Sequence, residues 1–482
     1  MWADRLAVLP VIVIGAWAVL LTVADLYIPE HRRRITAILA ALGLIVGLVV
    51  NLFIQRHNPQ TAYFGLAIAD GFSSFLNVLF LLSGLLGIAV AHGYLQRQNI
   101  ARSEYYSLLL FSISGMMLMG MAADLIIVFI ALELLSIPLY VMAGFHRDRL
   151  DSEEAALKYF LLGAFAGGFV VYGIALIYGA TGSTRIAAIL SAVQSGSASP
   201  ILLTVGAALI LVGLGFKVAA VPFHMWTPDV YQGAPSSVTA FMAVGAKAAG
   251  FAALLRVFLL AFPTLSDKLV PLLWALAALT MIVGNIVAIV QSNIKRLLAY
   301  SSIAHAGYIL MATVTLGQSR LMADAAAAAL FYLLAYLLTN FGAWAVVIAL
   351  EREEGKGLSI QDYAGLGKKY PALAAAMSVF MLSLIGVPPT VGFLGKFYLF
   401  RAVLEGGFVG LAVIGVLTSL VSAYYYLRVV VVMYMQEGEP VVNRDALLHW
   451  TAALSAIAVL ALSLFATPLF QWATQATLYA AQ

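Results

Sequence analysis

The chain is built almost entirely from uninterrupted apolar runs, each long enough to cross the hydrocarbon core of a bilayer as a single helix. Crossing takes roughly 20 apolar residues. About fourteen such runs lie near 6–28, 34–54, 70–95, 104–122, 124–145, 155–180, 200–227, 236–262, 269–292, 296–316, 322–350, 371–404, 407–435 and 447–472. Their length and continuity predict helices and not the alternating, roughly ten-residue signal of a membrane barrel. Of 482 residues, 63% are hydrophobic and 10% charged. A water-soluble fold of this size has too little interior for that much apolar surface. A soluble enzyme, a disordered tail and a nucleic-acid binder therefore do not fit, and the expected class is an all-α polytopic membrane protein.

There is no cysteine. That excludes disulfides, thiolate catalysis, cysteine-based zinc sites and iron–sulfur ligation by this chain. The formal charge is +4, and its distribution reads as topology. With the N-terminus placed outside, the inside loops hold Arg32, Arg33, Arg34, Arg97, Arg102, Arg147, Arg149, Lys295, Arg296, Arg352, Lys356, Lys368, Lys369 and Arg444. The outside segments hold only Arg5, Arg56, Arg185, Lys268, Arg320 and Arg401. The positive-inside rule then places both termini outside. The first segment, MWADRLAVLP, leads into a run long enough to span and shows no evident cleavage site, so no signal peptide is expected.

Six basic residues fall within the runs: Lys158, Lys217, Lys247, Arg256, Lys396 and Arg428. Arg256 and Arg428 lie toward run ends, where snorkelling to the headgroups is expected. Lys158 follows Glu154 by four residues, a favourable helical spacing that suits an interfacial ion pair. Lys217, Lys247 and Lys396 sit deep in GLGFKVAAVPF, AVGAKAAGF and GFLGKFYLF. A charge at mid-membrane costs about 2.5–3.5 kcal/mol even on the lenient insertion scale. Three such lysines are hard to explain as packing residues. Among the carboxylates only Glu133, in VFIALELLSIPLY, is deep in a run. A buried carboxylate and a buried lysine each need a partner, and pairing the two meets both needs. A lysine whose partner comes and goes is a switchable proton site.

His31, His57, His92, His146 and His449 lie in loops or near run ends, whereas His224 and His305 lie within or beside spans. Lys217 and His224 would share a face if their helix were continuous. A hydrogen-bonded packing role for these histidines stays open beside a relay role. No histidine pair is spaced as axial haem ligands, and no His–carboxylate cluster suits a metal.

Breakers accompany the lysines. Pro222 follows Lys217, Gly245 and Gly250 flank Lys247, and Gly386, Pro388, Pro389, Gly392 and Gly395 precede Lys396. Broken helices at membrane depth are tolerable only against protein or a water-filled cavity, and paired interruptions point to inverted repeats. The spacing predicts an N-terminal three-helix segment (1–103), a five-helix unit (104–263), a second, inverted five-helix unit (264–437) and a C-terminal helix (438–482).

The stretches LELLSIPLYVMAGF, KYFLLGAFAGGFVVYGIALIYGATG, GFKVAAVPFHMWTPDVYQGAPSSVTAF and IKRLLAYSSIAHAGYIL resemble the antiporter-like membrane subunits of bacterial NADH:quinone oxidoreductase, respiratory complex I. The resemblance runs over nearly the whole chain. It implies fourteen transmembrane helices, two inverted five-helix repeats, and breaks in the seventh, eighth and twelfth helices. Subunit M-like members carry a glutamate where this chain has Lys396, and subunit L-like members carry a lateral arm that is not expected here. Both points favour the subunit N branch.

The resemblance further implies proton translocation driven by redox chemistry in partner subunits. Glu133 and Lys217 would form the input pair, Lys247 the central relay and Lys396 the site coupled to the outer side. His224 and His305 would line the connecting polar axis, with Lys158 and Lys295 as further contributors. No cofactor is expected in this chain; FMN and iron–sulfur clusters would sit in partner subunits. The expected setting is the bacterial plasma membrane, among other membrane and peripheral subunits, with NADH and quinone as substrates of the whole complex. Two alternatives are a subunit of a multisubunit sodium/proton antiporter and a passive scaffold or quinone-site subunit.

Overall fold

A computed structural model describes residues 2–29, 32–54, 60–352 and 355–476. His31, His57 and Arg56 lie outside the described residues. Among those described, eleven helices are long and apolar enough to cross a membrane. The other expected spans are Leu9–Asp25, which is shorter, Glu104–Met121, and the divided pair Pro371–Ile385 and Val391–Glu405. The separation of Glu104–Met121 from Leu125–Ala143 falls at Ala122–Asp124, as the sequence suggests. Asp124 caps the second helix, accepting from Ile126 N at 2.8 Å, and its other oxygen accepts from Thr184 Oγ1 at 2.8 Å. An exposed belt of large side chains, including Leu20, Phe165 and Leu420, covers the outside, as expected where lipid is the solvent.

Three elements form the interior. Ser236–Ala261 is wholly buried, and Ile294–Thr315 and Arg320–Leu350 are nearly so. The other spans wrap around them and are much less buried. Close crossings use small residues, since lipid supplies no hydrophobic drive between helices. A Cβ on Gly173 would sit 2.7 Å from Gly206 O, and one on Gly206 would sit 2.9 Å from Gly173 O. The helices Leu150–Thr181 and Pro200–Val218 therefore meet backbone to backbone.

The run read as 200–227 is not one helix. It ends at Val218, four residues before Pro222, because Ala219 turns into the left-handed region at φ 63°. A loop follows, and Trp226–Gly233 resumes the path. Lys217 and His224 consequently do not share a helical face. The loop's exposed donors are met: Ala220 N donates to Gly215 O at 2.8 Å and Val221 N to Thr280 Oγ1 at 2.9 Å. The run 371–404 is divided in the same way. Gly386, at φ 89°, ends Pro371–Ile385, and Thr390 starts Val391–Glu405. Proline stands three residues past the left-handed cap in both cases, at Pro222 and Pro389. The eighth expected span differs. Gly245 does not break it; a π-helical turn over Met242–Ala246 joins Ser236–Phe241 to Lys247–Ala261. A two-stranded hairpin, Gln60–Ala62 against Ala67–Ala69, lies between two spans and was not foreshadowed by the helical pattern.

Candidate functional site

Lys217 lies in the last turn of Pro200–Val218, where the helix dipole favours a cation. It is 4% exposed. Its ammonium donates to Ser136 Oγ at 2.8 Å and Tyr159 Oη at 3.1 Å. Tyr159 is fixed by stacking on Trp226 at 4.6 Å, and Trp226 Nε1 donates to Phe216 O at 2.9 Å. The second half of the broken helix thus holds the lysine's partner. Glu133, one helical turn before Ser136, is half-buried. Its carboxylate rests near Gly167 and opens on a cleft of about 480 Å³ lined by Phe129, Gly168 and Tyr172. Among the described residues it makes no direct ion pair. Ser136, one turn further along the same helix, is the group that touches Lys217.

The stem of Lys217 packs on Gly250, where an added Cβ would lie 3.4 Å from Lys217 Cγ. Gly250 is three residues from Lys247, so the two lysines occupy adjoining turns. Lys247 follows the π turn, is 2% exposed and donates to Ser302 O at 2.5 Å. A backbone carbonyl has a second lone pair available for such a bond.

Ser302 belongs to Ile294–Leu310, which carries His305 one turn on. The imidazole is buried between two phenols, with Nδ1 2.5 Å from Tyr332 Oη and Nε2 3.1 Å from Tyr426 Oη. Tyr426 also bonds Ser301 Oγ. Ser301, His305 and Tyr308 stand at i, i+4 and i+7, one face of the helix. Tyr308 donates to Thr418 Oγ1 at 3.4 Å, and its ring faces Lys396 Nζ at 4.4 Å. Lys396 donates to Ser419 Oγ at 2.7 Å and Ile385 O at 2.9 Å. Ile385 O is the C-terminal carbonyl of the first half-helix, again a favourable place for a cation.

These contacts bring Lys217, Lys247, His305 and Lys396 into one buried row, with half-buried Glu133 one turn from Ser136 at its Lys217 end. The other candidates stand apart from it. His224 sits half-buried in the loop after Val218, apart from Lys217, and its Nδ1 has no partner among the described residues. Lys158 is 40% exposed and pairs with Glu154 at 2.6 Å and Asp229 at 2.8 Å. Asp229 in turn pairs with Arg296 at 2.8 Å. Lys295 is buried and donates to Ala234 O at 2.7 Å.

Sequence reasoning missed several residues. Arg256 does not snorkel. It is 1% exposed and holds Asp70 with two bonds, of 2.8 and 2.9 Å, and Gly120 O with two more, of 2.9 and 3.1 Å. Tyr332 and Tyr336 beside His305 carried a usable signal, their i, i+4 spacing on one helix, but they counted as apolar. Among the described residues no group of three or more His, Asp or Glu could hold a metal.

The family described as NADH:quinone oxidoreductase/Mrp antiporter, TM, matches residues 122–422. The NADH-quinone oxidoreductase subunit N of Chloroflexus aggregans is 46% identical over 467 residues, covering 96% of this chain and 94% of that protein. A chain in the structure of respiratory complex I from Thermus thermophilus with bound aureothin superimposes with a TM-score of 0.82 at 36% identity, covering 98% of this chain and 100% of that one. A chain of the Mrp complex from Dietzia shares the fold at a TM-score of 0.85 and 21% identity, covering 99% and 97%.

Proposed function

The chain belongs to the NADH:quinone oxidoreductase/Mrp antiporter family of membrane subunits, and from that premise we infer that it translocates protons as the subunit N component of a respiratory complex. The observation that carries this reading is a chain of buried neighbours: Lys217 packs on Gly250, one turn from Lys247; Lys247 holds Ser302 O, one turn from His305; and Tyr308 on that same helix faces Lys396. Withdrawing or restoring the charge of Glu133 changes the proton affinity of Lys217. A proton leaving that ammonium is taken by a neutral Lys247 amine, and then, by way of His305 and its phenols, by Lys396. Release follows toward the face that bears both termini. Charges about 10 Å apart at an effective dielectric near 20 interact by roughly 1.7 kcal/mol, nearly a twentyfold change in protonation for each neighbouring step. Lys158, Lys295 and His224 serve at the margin of this row.

In this reading the spans number fourteen, with 104–263 and 264–437 as the inverted units. The membrane is the bacterial plasma membrane, with both termini periplasmic. A chain without cysteine supplies no thiolate for an iron–sulfur cluster; in this reading the clusters belong to partner subunits, and so does FMN. NADH and quinone are substrates of the whole complex.

The test is Lys247→Ala in the intact complex, with proton pumping and NADH oxidation measured together. Loss of both with assembly retained supports the reading; normal pumping overturns it. The Mrp likeness favours one second reading, a sodium/proton antiporter subunit. Purifying the native complex separates the two, because peripheral flavin and iron–sulfur subunits accompany only the first. A passive scaffold would instead tolerate neutral replacement of Lys217, Lys247 and Lys396.

A further inference from the structure

Glu351 lies at the end of the Ser319–Leu350 helix, on the face of the molecule that carries Arg97, Arg149 and Lys295. It is 1% exposed. Oε1 accepts from Tyr94 Oη at 3.3 Å, while Oε2 has no hydrogen-bond partner among the described residues. Arg97 stands beside it, donating to Ile348 O at 2.8 Å in the last turn of the same helix. No described cation forms an ion pair with it, so Glu351 is not held as a simple counter-charge.

The same helix carries a polar stripe leading inward from Glu351. Tyr332, Tyr336, Asn340 and Trp344 follow at four-residue spacing, and Glu351 comes seven residues later. At about 100° per residue all five fall within roughly a third of the helix circumference. Tyr332 holds His305. Tyr336 Oη, both polar atoms of the Asn340 amide and Trp344 Nε1 are buried without a hydrogen-bond partner among the described residues. Ser236 Oγ and Ser302 Oγ are buried and unpartnered in the same way. Ser236 N donates to Tyr94 Oη at 3.2 Å, beside Glu351, and Ser302 O holds Lys247. Polar atoms at such depth are normally met by ordered water.

We propose that Glu351 is the group at which protons from the basic face join the buried row, and that the stripe on Ser319–Leu350 carries them to Lys247. The carboxylate takes a proton from the aqueous side and becomes a neutral acid. It passes that proton through the hydroxyls, the amide and their waters to a neutral Lys247 amine. The products are an ammonium and a regenerated carboxylate. This rests on the reading of Lys247 as the central relay.

The experiment uses the assembled complex in sealed inverted membrane vesicles, with NADH-driven acidification as the readout. Glu351→Gln keeps the side-chain size and can still accept from Tyr94, so a purely structural role would leave pumping intact. The expected result is a loss of about tenfold or more, rescue by Glu351→Asp, and partial recovery when the medium on the basic face is acidified. Lys247→Ala is expected to show no such recovery. Normal pumping by Glu351→Gln overturns the proposal. If that variant does not assemble, Asn340→Leu replaces it: the same loss supports the proposal and normal pumping overturns it. Normal pumping by Lys247→Ala would instead overturn the underlying reading, whereas an inactive Lys247→Ala beside an active Glu351→Gln overturns this inference alone.

Discussion

Asp70→Asn is expected to cripple the subunit while leaving the shape of the site nearly unchanged. Asp70 and Arg256 are both buried and joined by two bonds, of 2.8 and 2.9 Å. Asparagine can keep the bond made through Oδ1, but it leaves the buried guanidinium with no counter-charge beside it, only that amide oxygen and Gly120 O. Breaking one side of a buried ion pair costs about 3–5 kcal/mol. Asp70 also caps Gly71–Arg97, accepting from Ser73 N at 2.8 Å. Asparagine preserves that cap, whereas alanine forfeits a further ~1 kcal/mol. Asp70→Ala is therefore expected to be the worse variant. Arg256→Met alone removes the two guanidinium bonds to the carboxylate, while the cap bond to Ser73 N remains. The double variant Asp70→Asn with Arg256→Met removes both charges and is expected to recover about 2–4 kcal/mol relative to the additive sum. The assay is the amount of subunit in assembled complex and its half-life on mild heating. At 1.36 kcal/mol per decade, about 3 kcal/mol corresponds to more than a hundredfold in a population ratio. A stable Asp70→Asn subunit, or a double variant as damaged as the sum of its singles, would refute the reasoning.

Removing the hydroxyls that hold Lys217, by Ser136→Ala or Tyr159→Phe, is expected to cost about 1.5–3 kcal/mol of ammonium stabilisation each; pumping assays on assembled variants should show about a tenfold loss. Lys158→Gln is expected to stay within about twofold of normal pumping, since exposed pairs contribute little. Gly206→Val should drive Leu150–Thr181 and Pro200–Val218 apart at a cost of about 1–3 kcal/mol, seen as reduced assembly. Gly386→Ala places a side chain at φ 89° with its Cβ 3.0 Å from Lys396 Cδ, and should reduce pumping more than it reduces assembly.

The apolar runs made the spans legible because membrane crossing is a one-dimensional constraint on length and hydropathy. Buried lysines stood out for the same reason. What stayed hidden depended on partners far along the chain. Arg256 looked like a snorkelling residue because Asp70 lies 186 positions away. Glu351 looked like a loop residue because only the packed structure shows that the end of its helix is covered. Pro222 marked a break near Lys217, but the stop at Val218 itself was hidden, since an alanine and not a glycine adopts the left-handed turn. The π turn before Lys247 was equally silent. The tyrosines were misjudged because a hydropathy count treats a phenol as surface to be buried and ignores the hydroxyl that must then find a partner.

The two broken helices place their lysines on opposite sides of the break. Lys217 stands two residues before its left-handed cap, and Lys396 stands ten residues after Gly386. Lys217 fastens its own half-helix to neighbouring helices through Ser136 and Tyr159. Lys396 reaches backward across the gap to Ile385 O, so it is a latch between the two halves of one broken helix. A swing of Val391–Glu405 against Pro371–Ile385 stretches that latch directly, whereas bending the loop after Val218 does not pull on Lys217's own bond to Ser136. The scaffold therefore has a mechanical polarity, with a hinge that senses motion at one end of the row and a fixed anchor at the other.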